Sequence, residues 1–106
     1  MILHAVYCAI RPEVSQAGIA VVFSKLEALV DQCEGLHSFE AGPNIDLEKK
    51  SQGFTHGFVM RFSSRAALEA YATHPAHLLA AGALVDICAG GAEGIMVFDL
   101  DLPPAP

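Results

Sequence analysis

Phe54, His56, Phe58, Met60 and Phe62 alternate with Thr55, Gly57, Val59, Arg61 and Ser63. This period of two predicts a strand whose aromatic side faces a core. Ile2 to Ile10 is a second apolar stretch, ended by Arg11-Pro12. Both of its faces are apolar: Ile2, His4, Val6, Cys8 and Ile10 form one parity, and Leu3, Ala5, Tyr7 and Ala9 the other. Such a strand is central and covered on both sides. Between these two strands, Ile19, Val22, Phe23, Leu26, Leu29, Val30 and Cys33 recur at steps of three and four, predicting an amphipathic helix from about Val14 to Cys33. Gly35 ends that helix, and Leu36 to Ala41 reads as a further strand. Gly42 to Gly53 has the composition of a solvated loop. Ser63-Ser64 offers an N-cap for a short helix from Arg65 to Thr73. Pro75 breaks that helix and starts another through about Ile87, and Ile95 to Leu100 makes the last strand.

Strand, helix, strand, strand, broken helix, strand is the split βαβ order. The fold class it implies is α+β, ferredoxin-like, with one four-stranded antiparallel sheet and helices on one face. The other face would stay bare in a monomer, although Leu3, Ala5 and Tyr7 make its central strand apolar. A dimeric α/β-barrel formed by packing sheet on sheet resolves this.

Composition agrees with that expectation. A chain of 106 residues is one domain, here taken as residues 1–100 followed by a Pro-rich tail, residues 101–106. Hydrophobic residues make up 53% and charged residues 17%, an apolar balance that calls for a covering partner and points to a homodimer. The formal charge is −6 with no basic run, which argues against nucleic acid and against an anionic membrane surface as partners. No apolar run is long enough to cross a bilayer. Met1 to Ile10 lacks the basic start and cleavage site of a signal peptide. Cys8, Cys33 and Cys88 are odd in number and widely spaced, as expected for reduced thiols in a cytoplasmic protein.

The chemistry concentrates in Tyr71-Ala72-Thr73-His74-Pro75-Ala76-His77. Proline pushes His74 out of the α region and places His77 in the first turn of the next helix. There the positive end of the helix dipole disfavours an imidazolium, so His77 is a candidate general base. His4 and His56 fall on matching core parities of neighbouring strands. Each alone reads as a core imidazole with a hydrogen-bond partner, whereas together with Tyr71 and His77 they outline a pocket. His74 and His77 lack the further ligands of a metal set, so no metal is expected. Asp99 and Asp101 read as solvated charges at a strand end.

Ile2-Leu3-His4, Gly35-Leu36, Gly42-Pro43-Asn44, Gly53-Phe54-Thr55-His56-Gly57-Phe58, the Tyr71 to His77 block and Val97-Phe98-Asp99 together resemble the stress-responsive A/B barrel (Dabb) domain family. The resemblance runs from about Met1 to Leu100, and the His-Pro-x-His block with its preceding tyrosine is the most specific part. It implies a ferredoxin-like dimer whose two sheets close into a barrel. The family's best understood enzyme is a plant polyketide cyclase that performs an intramolecular aldol condensation without a cofactor. By that resemblance His77 would be the general base, Tyr71 its helper, and His4 and His56 cavity-lining histidines. Leu26 stands where the cyclase has a tyrosine lining its tail pocket. The expected catalytic pair is therefore His77 and Tyr71. The expected ligand-binding set is His4, His56 and His74 with apolar walls from Phe23, Leu26 and Phe58, and the ligand a small apolar compound bearing a carbonyl. The leading expectation is a homodimer of this fold with a small-molecule pocket under the sheet of each subunit, which binds or protects without turnover; the alternative is a cofactor-free, cyclase-like acid–base enzyme using His77 and Tyr71.

Overall fold

The computed structural model describes residues 1–104. Four strands, β1 (Ile2–Cys8), β2 (Leu36–Pro43), β3 (His56–Phe62) and β4 (Ile95–Asp101), form one sheet in the order β2-β3-β1-β4. Every neighbouring pair is antiparallel. Three helices, α1 (Gln16–Glu27), α2 (Arg65–Ala72) and α3 (Pro75–Ile87), cover one face, giving the ferredoxin-like architecture the period analysis predicts.

Several boundaries differ from expectation, and four of the differences have a traceable reason. β1 stops at Cys8 because Ala9 turns its hydrogen bonds to the segment after α3: its N–H donates to the Gly94 carbonyl and its carbonyl accepts from Ala89. Ile10 still pairs, but with Cys88. α1 ends at Glu27 and tightens into a 3-10 turn over Ala28–Asp31. Residues three apart eclipse in such a turn, which keeps Leu29 in register with Leu26 against the core. β2 carries a bulge between Leu36 and Ser38 and continues to Pro43 opposite His56, a position an edge strand tolerates in proline. β4 runs on to Asp101, and the Leu102 N–H donates to the Met1 carbonyl at 2.9 Å, so the first residues of the expected tail belong to the sheet edge. Ala105 and Pro106 lie outside the described residues.

Both helix starts near the proline break follow from side-chain capping. The Ser64 hydroxyl accepts the Ala67 N–H at 3.1 Å, and His74 Nδ1 accepts the Ala76 N–H at the same distance. Gly35 holds a φ of +83°, and a Cβ there would lie 2.5 Å from the Ala67 Cβ. Glycine thus lets the start of β2 pass under α2 and fixes where α2 delivers Tyr71.

The core lies between the sheet and the helices. Ile2, Val6, Cys8, Phe58, Met60 and Phe62 meet Val22, Leu26, Leu29, Tyr71, Ala80 and Leu84 there. The other face carries Tyr7, Met96, Phe98 and Leu100, each at least 40% exposed. Tyr7 lies over β3 at Gly57, where a Cβ would come within 2.9 Å of its ring. No helix is long and apolar enough to cross a membrane among the described residues.

Candidate functional site

Tyr71 is delivered by the last turn of α2 into the core, where it is 3% exposed. Three rings surround it: Phe62 at 4.9 Å, His4 at 5.8 Å and His77 at 4.2 Å between centroids. The proline break makes this possible. α3 starts at Pro75, so His77 occupies its first turn and folds back toward the end of α2. Its Nδ1 lies 3.1 Å from the Ala72 carbonyl. A carbonyl only accepts, so Nδ1 carries the proton and the neutral ring keeps its lone pair on Nε2.

His4 enters from the central strand. The β1–β4 register sets it opposite Asp99, and its Nδ1 donates to Asp99 Oδ1 at 2.5 Å. The same logic puts the free lone pair of a neutral His4 on Nε2. Asp99 keeps its side chain 42% exposed, so the carboxylate faces water on one side and the buried imidazole on the other. The site is thus a buried phenol between two imidazoles, each held through Nδ1 by a fixed acceptor.

Residues 2–102 match the family model described as the stress responsive A/B barrel domain. The chain belongs to the stress-responsive A/B barrel family. It is 29% identical to the stress-response A/B barrel domain-containing protein HS1 of Arabidopsis thaliana, over 91% of this chain and 84% of that protein. A dimeric ferredoxin-like protein of unknown function from Jannaschia sp. CCS1 is 40% identical, with a TM-score of 0.86 over 95% of this chain and 98% of that one. A hydroxynitrile lyase from Passiflora edulis shares the fold at 20% identity, with a TM-score of 0.83 over 98% of this chain and 94% of that one.

Within this A/B barrel chain the expected residues divide into two groups. His77, Tyr71 and His4 come together as anticipated from their positions. His56 does not join them. It pairs with Cys8, four residues along β1 from His4, which is roughly 13 Å at the rise of a strand. Matching parity put both histidines on one face, but the antiparallel register separates them along it. The His56 ring instead sits 6.2 Å from Phe23 and shares its Nδ1 with the Thr55 hydroxyl. Phe23 stacks edge-on with Phe58 at 5.8 Å, so these three residues form a second aromatic cluster at the other end of the sheet. Leu26 and Phe58 are core residues, 2% and 4% exposed. His74 spends its Nδ1 on capping α3.

Asp99 was expected to be a solvated terminal charge, and the structure makes it the partner of His4. The signal available in the sequence was the parity of Ile95, Val97 and Asp99: a carboxylate on the helix-facing side of a strand. Recognising it required knowing that β4 borders β1.

The protonation states suit acid–base work. Burial lowers the His77 pKa below the ordinary histidine value, His4 and His74 nearby lower it further, and only the Ala72 hydrogen bond opposes them. Burial, with the Cys33 thiol close by, pushes the Tyr71 hydroxyl well above the usual phenol range, so it stays protonated. A neutral base beside a protonated phenol can take a proton from carbon and give one to oxygen. The shift at His77 also bears on stability. A histidine whose folded pKa is depressed binds fewer protons in the folded than in the unfolded chain below about pH 6.5, so stability falls as pH falls through that range. Urea midpoints are expected to be lower at pH 5.5 than at pH 7.5, with part of the difference removed in His77→Gln. An unchanged difference in that variant would show that His77 titrates normally.

Proposed function

We propose that the chain works as a homodimer closed through its open sheet faces, each protomer acting on a small apolar carbonyl compound with His77 as base and Tyr71 as proton donor. The observation that carries this reading is the Ala72 carbonyl's hold on His77 Nδ1, which leaves Nε2 as a free base beside a protonated phenol. A base so placed would remove a proton α to the carbonyl, and the phenol would donate to the developing enolate oxygen. His4 and Asp99 would keep the opposite side of the phenol polar and fixed. The chemistry calls on no cofactor. The dimer is supported by the exposed Tyr7, Phe98 and Leu100 on the open face and by the dimeric Jannaschia relative.

The test is loss of α-hydrogens to solvent deuterium. Simple ketones and β-keto acids are incubated with the protein in D2O and followed by proton NMR, and exchange above the buffer rate is expected for at least one compound. The close packing of Leu26, Phe58 and Tyr71 favours a second reading, a dimer of the same fold that binds without turnover. Saturation transfer to a compound whose α-hydrogens exchange no faster than in buffer would select that reading and sink the enzyme.

A further inference from the structure

The loop between β2 and β3 holds the two most exposed large hydrophobic side chains of the described residues, Ile45 at 82% and Leu47 at 84%. Its composition predicts an ordinary solvated loop, yet its backbone is pinned. The Asn44 side-chain amide donates to the Phe54 carbonyl, its side-chain oxygen accepts the Asp46 N–H, and its backbone N–H donates to Thr55, each at 2.8 Å. Asp46, Lys49 and Gln52 all adopt left-handed conformations, at φ of 49°, 57° and 54°. Residues with a Cβ disfavour that region, Asp less than most, so the hydrogen bonds at Asn44 and the strand ends hold a path that local preference alone would not select.

The loop stands at the margin of the open sheet face. Lys50 and Phe54 from the loop segment line a cleft of about 670 Å³ together with Tyr7, Gly57 and Phe98 of the sheet. The exposed apolar pair Ile45 and Leu47 thus belongs to a loop that borders an apolar face itself uncovered. In a two-fold interface the same patch serves on both subunits, so a loop bordering one sheet face would be within the patch that meets the partner.

We propose that Ile45 and Leu47 form a clasp that packs on the sheet face of a second copy of this chain. The proposal rests on the sheet-to-sheet homodimer proposed above and adds the residues that close it. A second copy is the fitting occupant because loop and face are apolar and adjacent in the same protomer, and because a relative 40% identical across 98% of its length is dimeric.

Sedimentation velocity over a dilution series tests the clasp. Wild-type protein is expected to dimerise, the double variant Ile45→Asp/Leu47→Asp to dissociate about 100-fold more readily, and Leu79→Asp, on the exposed side of α3, to match wild type. A double variant within about threefold of wild type, an error-sized margin beside a tenfold step of 1.4 kcal/mol, would overturn the clasp and leave the sheet dimer standing. Wild type that stays monomeric at every concentration would overturn the dimer reading and the clasp with it. Equal weakening by Leu79→Asp would place the interface on the helices and overturn both. Circular dichroism checks folding, and if the aspartates disturb it, Ile45→Ser/Leu47→Ser is expected to weaken the dimer about tenfold by the same measurement. No weakening in that pair would overturn the clasp equally.

Discussion

Replacing His77 by glutamine is expected to slow α-deuterium exchange by about 10² to 10⁴-fold, the range a positioned acid–base group supplies. Glutamine is the informative choice because its amide can still donate to the Ala72 carbonyl, the bond His77 Nδ1 makes at 3.1 Å. The break between α2 and α3 then keeps its hydrogen bond while the base is gone. Tyr71→Phe should cost less, since it removes a proton donor and leaves the base. If His77→Gln exchanges at the wild-type rate while Tyr71→Phe does not, the base has been misassigned and His4 Nε2 becomes the candidate. Retained thermal stability in His77→Gln is the control that separates lost chemistry from lost structure.

The second large effect is on stability. Phe62→Ala is expected to destabilise the fold by about 3–5 kcal/mol, as for other truncations of fully buried aromatics. Phe62 is 0% exposed and sits opposite both Ile2 and Leu36 in the sheet, so the cavity would open where three strands meet. It also touches the site, with its ring 5.9 Å from His4 and 4.9 Å from Tyr71. Urea unfolding gives the stability loss, and the Tyr71 ring resonances report whether the phenol gains motion. A loss below about 1 kcal/mol would mean that the surroundings collapse into the space, and that Phe62 is not what holds the phenol.

The fold was legible because its signals are local and periodic. The alternation from Phe54 to Phe62, the stripe from Ile19 to Leu29 and the Ser-x-x and His-Pro helix starts each act within a few residues of chain. Tyr71 and His77 were legible for the same reason: six residues and one proline fix their approach. His56 and Asp99 depend on register instead. Parity told which face His56 occupies, but only pairing with Cys8 shows that it lies at the far end from His4. Asp99 reads as a strand-end charge until β4 is laid against β1. The helical stripe likewise continued past Glu27 into a tighter turn, since steps of three fit a 3-10 turn as well as an α-helix.

The strand that begins the chain lies in the middle of the sheet, between β3 and β4. During synthesis it must therefore wait: its first neighbour follows nearly fifty residues later, and its second is the last strand made. Until β4 emerges, His4 has no carboxylate and one edge of β1 has no ladder. Long-range pairing of this kind slows folding and leaves an open edge exposed. Site and sheet are thus finished in a single late event, and a nascent chain stalled before Ile95 would carry the phenol and both imidazoles without the group that orients one of them.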